Sequence, residues 1–190
     1  MTRPPLPRPA VFLDRDGTLI RDTGFVAVPD DVELLPDAAD SVARLNRAAI
    51  PAIIVTNQSG IGRGHFTVED YERVHDRVSD LLRAGGARID ATYYCPHHPD
   101  FDGPCACRKP GVLLYQRAAA DYGLDLARST FIGDRWRDIA PALSLGGRGI
   151  LVPSDATPPE DRVDAERDAE IAPTLTDAVT RVLSEPAEIS

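Results

Sequence analysis

Five groups of residues in this 190-residue chain have the types and spacings that chemistry needs. Asp14-Arg15-Asp16-Gly17-Thr18 follows the apolar run Val11-Phe12-Leu13. While the chain stays extended, Asp14 and Asp16 point to one side, and a divalent cation would relieve their repulsion. Taken alone, the same pattern also suits an Asx-type turn with solvated acids. Thr56-Asn57-Gln58-Ser59-Gly60 follows a second apolar run. A short hydroxyl and free backbone N–H groups there suit a phosphate oxygen. Lys109 is the only lysine, and the rest of the 21 basic residues are Arg. Its compact ammonium fits a transferring phosphoryl group. Gly133-Asp134-Arg135-Trp136-Arg137-Asp138 follows another apolar run, placing Asp134 to complete a metal site and Asp138 one helical turn further on. These two acids would equally suit an ordinary helix N-terminus.

The fifth group is Cys95-Pro96-His97 with Cys105-Ala106-Cys107, two ligand pairs joined by seven residues. Four N/S donors close a tetrahedral site with no open position, the arrangement of structural zinc. His98 competes with His97 for the imidazole position, and three free thiols in a surface loop are the plainer alternative. Zinc at Cys95, His97, Cys105 and Cys107 would stiffen the segment leading into Arg108 and Lys109.

Other chemistries fail on spacing. A Walker A loop needs Gly-Lys-Ser/Thr, and Lys109 sits in Arg-Lys-Pro. Gly60-x-Gly62-x-Gly64 lacks the third glycine of a dinucleotide fingerprint, because His65 stands there. A cysteine phosphatase needs Arg six residues after its Cys, where this chain has Phe101, Gly111 and Leu113.

The elements that must position these groups alternate in type. A helix over 37–49 precedes a strand at Ile50–Val55. Thr67 opens a capping box with Asp70, and Val68, Tyr71, Val74, Val78 and Leu81 make a helical stripe ending at Gly85-Gly86. A strand at Ile89–Tyr94, a helix over 111–122 and a strand at Thr130–Ile132 come next. They are followed by a helix over 136–145, a strand at Gly149–Val152 and a last helix near 175–184. Strands alternating with helices predict an α/β fold, an open parallel sheet with helices on both faces, whose ligands bind beyond the carboxyl ends of the strands. The reading is one domain over 1–190, with a Pro-rich N-terminal extension at 1–9 and a zinc loop at 95–109. Residues 153–169 read as a mobile acidic connector.

Composition narrows the class. The chain is 43% hydrophobic and 27% charged with a formal net charge of −9, which argues against nucleic acid as a partner. No window is apolar enough to span a membrane, and the N-terminus lacks the apolar stretch of a secretion signal. Clustered, odd-numbered cysteines fit a reducing cytoplasm. A cytoplasmic monomer with no nucleic-acid or membrane partner is expected.

The order and content of the strand-end groups over roughly residues 10–152 resemble the four motifs of the haloacid dehalogenase (HAD) superfamily of phosphatases. That resemblance implies Asp14 as nucleophile and Asp16 as acid and base. It further implies Mg2+ on the Asp14 and Asp134 carboxylates and the Asp16 carbonyl, with Thr56 and Lys109 on the phosphoryl oxygens. Phe12–Thr18, Thr56–Gly60, Tyr94-Cys95-Pro96-His97-His98-Pro99 and Cys105-x-Cys107-Arg108-Lys109-Pro110 are similar to the branch that cleaves heptose bisphosphates. A small phosphorylated sugar is then the implied substrate, contacted by Asp22, Thr23, Gly24, Phe25, Asn57, Gln58, Ser59, Arg63, Arg108 and Arg135. The zinc loop is shorter than in enteric members, and Arg135 replaces their Lys. The second change is nearer the histidinol-phosphatase branch, which is the alternative, whereas Ile61-Gly62-Arg63-Gly64 and the His97-His98 pair fit the heptose enzymes better. Only a flap and one helix fit between Asp14 and Thr56, so no cap domain is expected. A polynucleotide 3′-phosphatase and a non-catalytic zinc module stay open as alternatives.

Overall fold

The computed structural model describes residues 6–184, so residues 1–5 of the Pro-rich extension lie outside the described residues. Strand β1 is Val11–Leu13, and a flap leads from it to helix α1, Ala38–Arg47. Ala49 takes a left-handed φ of 57° and the Ile50 N–H closes on the Leu45 carbonyl. Ile50 therefore completes the helix end, and β2 begins later than expected, at Ala52–Asn57. Short helix α2, Ser59–Gly62, follows at once, and then α3, Val68–Ala84, whose Thr67–Asp70 capping box forms as the sequence predicts. Strand β3, Ala91–Cys95, carries the first cysteine at its end.

Next come α4 (Pro99–Asp102), α5 (Leu113–Tyr122) and β4 (Thr130–Gly133). The helix expected over 136–145 is split into α6, Trp136–Ile139, and α7, Pro141–Leu145. Pro141 explains the break, because it has no N–H to continue the ladder. Strand β5 is Arg148–Leu151. The acidic connector expected over 153–169 is corrected in part: Pro159–Asp168 is helix α8, anchored by buried Ala165. Pro159 at its first turn and Glu160 and Asp161 beside it suit a helix N-terminus. A short sixth strand that the sequence did not reveal, β6 (Glu170–Ile171), precedes α9, Leu175–Ser184.

The six strands are parallel in the order β3-β2-β1-β4-β5-β6. Both faces are covered, so the central strands are apolar throughout rather than alternating. Val11 and Leu13 join Ile54, Ile132 and Ile150 in one core beneath α1, α3 and α9. Phe12 points to the other face, with Ile53, Val55 and Phe131 beneath α5. There its ring lies 5.2 Å from Tyr115 and 5.0 Å from Phe131, centroid to centroid. The chain runs from β1 through β2 to β3 on one side, then returns to place β4 on the other side of β1. The sheet's switch point therefore lies at β1, and the four predicted strand-end motifs sit side by side around it. Among the described residues, no helix is long and apolar enough to cross a membrane.

Candidate active site

Asp14 continues the β1 ladder, its N–H bonded to the Ile132 carbonyl at 2.9 Å. The Lys109 ammonium reaches it from the segment after β3. Lys109 Nζ lies 2.6 Å from Asp14 Oδ1, 2.7 Å from Asp138 Oδ1 and 2.7 Å from the Val55 carbonyl. All three donors of the ammonium are thus used. The main chain of Lys109 is held as firmly, since Asn57 accepts from its N–H at 3.0 Å and donates to its carbonyl at 3.2 Å. Asp14, Lys109 and Asp138 are all buried. Burial pushes the Asp14 carboxyl up to about 7; Lys109 opposes that, and Asp138, Asp16 and Asp134 add to it. Burial alone would lower Lys109, but the Asp138 and Asp14 carboxylates outweigh it and hold the ammonium well above its ordinary range.

Asp134 stands at the end of β4. Gly17 adopts φ +90° against it, where a side chain would run into the Asp134 carboxylate, so the turn after Asp16 needs glycine. Ser154 Oγ donates to Asp134 Oδ2 at 2.6 Å, and Thr157 Oγ1 donates to the Asp134 carbonyl at 2.6 Å. Burial raises Asp134 to about 6, with the Ser154 hydrogen bond opposing. Asp14, Asp134 and Asp138 each offer an oxygen, all within 4.8 Å of one another. Three buried, mutually repelling carboxylates facing one point are a donor set for a hard divalent cation. The side chain of Asp16 is turned elsewhere. It accepts from Arg15 Nε and Nη2, both at 3.0 Å, and from Gln58 Nε2 at 2.8 Å.

A pocket of about 100 Å³ opens over these groups, lined by Asp14, Asp16, Thr56, Ser59, Lys109 and Arg137 among others. Of the predicted substrate residues, Asp22, Gly24, Phe25, Asn57 and Gln58 also reach its wall. Thr23, Arg63, Arg108 and Arg135 do not line it. Arg63 Nη2 is 2.6 Å from His98 Nε2, and Arg108 Nη1 is 3.3 Å from the His97 carbonyl. Arg135 lies between Asp134 at 3.4 Å and Asp22 at 3.9 Å. Sequence reading missed Arg137, Ser154 and Thr157. Ser154 lies just past β5, so extending the strand-end rule to the fifth strand would have found it; treating 153–169 as a connector hid it.

The cysteine group assembles beside Lys109. Cys95 Sγ is 3.6 Å from Cys105 Sγ and 3.0 Å from Cys107 Sγ. His97 Nδ1 is 3.2 Å from Cys107 Sγ and 3.8 Å from Cys95 Sγ. Sulfurs about 2.3 Å from a shared tetrahedral centre would stand roughly 3.8 Å apart; Cys95–Cys105 at 3.6 Å and Cys105–Cys107 at 3.5 Å come near that spacing, and Cys95–Cys107 is tighter. His98 is turned away from this cluster, where it caps α4 through Nδ1.

A buried carboxylate at the switch-point strand, bound by a lysine from beyond β3 and faced by acids from β4, defines a phosphatase of the HAD superfamily. The HAD-hydrolase-like family model matches residues 106–178. The chain is 40% identical over 156 residues to the D-glycero-D-manno-heptose-1,7-bisphosphate 7-phosphatase of Thermosynechococcus vestitus, covering 77% of this chain and 80% of the relative. It is 39% identical over 153 residues to the Escherichia coli K12 D-glycero-beta-D-manno-heptose-1,7-bisphosphate 7-phosphatase, covering 76% and 78%. The crystal structure of the Bordetella bronchiseptica D,D-heptose 1,7-bisphosphate phosphatase, complexed with magnesium and phosphate, superposes with a TM-score of 0.83. That match has 32% identity and covers 94% of this chain and 99% of the other. This chain belongs to the D-glycero-D-manno-heptose-1,7-bisphosphate 7-phosphatase family.

Proposed function

We propose that this protein hydrolyses the C7 phosphate ester of D-glycero-D-manno-heptose 1,7-bisphosphate through a phosphoaspartate on Asp14. The observation that carries the reading is the buried Asp14–Lys109–Asp138 ion set at the floor of the pocket. It is supported by relatives of that activity that align over three quarters of the chain.

Asp14 attacks phosphorus, and the bond from phosphorus to the C7 oxygen breaks. Asp16 gives its proton to that oxygen, then takes one from the water that attacks the phosphoaspartate, freeing inorganic phosphate and restoring Asp14. Thr56 holds a phosphoryl oxygen, with Asn57 and Ser59 beside it, while the Lys109 ammonium, its three hydrogen bonds made within the site, offsets the charge of the phosphoryl group. Asp14, Asp134 and the Asp16 main-chain carbonyl would hold Mg2+, and Asp138 lies within reach of the same point. When bound, that ion neutralises charge on the phosphoryl group. Cys95, His97, Cys105 and Cys107 would hold zinc, which fixes the loop that delivers Lys109. Asp22, Gly24 and Phe25 line the sugar side, and Arg135 stands beside Asp22.

A side-by-side panel tests this. The highest kcat/KM is expected for heptose 1,7-bisphosphate, with phosphorus NMR showing C7 phosphate released and C1 phosphate retained. A higher kcat/KM for histidinol phosphate or a 3′-phosphorylated oligonucleotide would overturn the substrate.

A further inference from the structure

Within the pocket wall lies a polar chain whose linking side chain, Gln58, the reaction above leaves without a role. Gln58 is 5% exposed and its amide makes three hydrogen bonds. Oε1 accepts from Arg15 Nη2 at 3.0 Å, while Nε2 donates to Asp16 Oδ2 at 2.8 Å and to Thr56 Oγ1 at 3.0 Å. The orientation of this amide is fixed by its neighbours. Turned over, it would set its oxygen against the Asp16 carboxylate and its NH2 against the Arg15 guanidinium. Arg15 is itself 1% exposed, grips Asp16 with two donors, and lies 5.3 Å from the centroid of the Tyr71 ring. A buried guanidinium so placed cannot swing away, so Gln58 is held from behind.

Two consequences follow for the groups in front. Thr56 Oγ1 receives a hydrogen bond from Gln58, and no acceptor among the described residues takes its own proton. That proton is therefore free to be donated to a phosphoryl oxygen. Asp16, the acid and base of the reaction, is located by the same NH2 group. We infer that Gln58 is a positioning residue, backed by Arg15, that sets the phosphate-facing hydroxyl of Thr56 and the proton-transferring carboxyl of Asp16 with one amide. This role stands beside the direct substrate contact expected of Gln58, and it rests on the phosphatase reading proposed above.

Leaving-group dependence separates such a role from general damage. A sugar alkoxide must be protonated as it departs, whereas p-nitrophenolate leaves without help. Gln58→Glu is isosteric and still accepts from Arg15 but has nothing to donate to Thr56 or Asp16. Gln58→Met removes all three bonds without adding charge. For both variants, the ratio of kcat/KM on the heptose ester to kcat/KM on p-nitrophenyl phosphate, which reads only the phosphoryl-transfer step, should fall about 10-fold or more, part of the roughly 10²–10⁴ that a placed general acid supplies. Product inhibition by inorganic phosphate should weaken alongside, reporting the loss at Thr56. An unchanged ratio in either variant that retains activity overturns the inference, whatever the absolute rate. Wild-type enzyme that, with Mg2+, hydrolyses neither ester would instead overturn the phosphatase reading, and the inference with it.

Discussion

Removing the cation from the floor of the site should cost both stability and turnover, by amounts that can be worked out beforehand. Lys109 is 3% exposed, and its ammonium is the contact shared by two buried carboxylates. Lys109→Met keeps most of the volume and leaves Asp14 and Asp138 facing each other uncompensated. Breaking a buried ion pair from one side costs about 3–5 kcal/mol. For a chain of this length each kcal/mol moves the melting temperature by roughly 2–4 °C, so a fall of about 6–20 °C is expected. The pH dependence has a definite sign. The Asp14 carboxyl sits at about 7 in the fold even with Lys109 beside it, against 3.8 for the ordinary group. Losing the cation raises it further, so the fold favours the protonated acid, and the variant's deficit grows as pH rises above about 7, the value with Lys109 present, toward the variant's own higher value. Thermal unfolding by circular dichroism, without added Mg2+, should show a smaller deficit near about pH 5 than near about pH 8. Adding Asp138→Asn to Lys109→Met should restore part of the stability but none of the activity, which should be down by about 10²-fold or more. A single variant that loses less than about 1 kcal/mol, equally at both pH values, would refute the reasoning.

Two further outcomes follow from the donor sets. Burial raises Asp14 to about 7 and Asp134 to about 6, so protons and Mg2+ compete for the same oxygens. The thermal stabilisation produced by Mg2+ should be largest above pH 7 and shrink as pH falls through those two values; a pH-independent shift would place the ion elsewhere. Freshly purified protein should carry one tightly bound zinc by metal analysis, and Cys107→Ala should lose it and increase protease cleavage within 95–110. Protein without zinc would refute the three-cysteine, one-histidine site.

The sequence shows the site more completely than the elements that carry it. Asp14, Thr56 and Asp134 could be read because each follows an apolar run, and parallel strands deliver their ends to one edge of the sheet, while Lys109 could be read because it is the only lysine. Their contacts were not readable. That Lys109 joins Asp14 to Asp138 depends on a chain reversal after β3 which no local pattern encodes. Arg108 and Arg63 are attractive as charges, yet in the fold they are engaged by His97 and His98. Helix α8 escaped notice because its apolar content is slight, with Ala165 its one fully buried side chain. Such a helix is held by packing on Ile139 and Leu151 rather than by any amphipathic stripe. The two-residue β6 is too short to have a period at all.

The claim on which the rest depends is that Asp14 takes the phosphoryl group. Enzyme mixed with excess heptose 1,7-bisphosphate and Mg2+, quenched in acid within one turnover and digested, should yield a peptide containing Asp14 that is heavier by one phosphoryl group. Borohydride should reduce that same residue. The modified peptide should be missing from Asp14→Asn and should accumulate in Asp16→Asn when p-nitrophenyl phosphate is the donor, because formation then needs no acid while hydrolysis lacks its base. Rapid turnover of the wild-type enzyme with no phosphoryl group on Asp14 at any quench time, or Asp14→Asn turning over at the wild-type rate, would contradict the account.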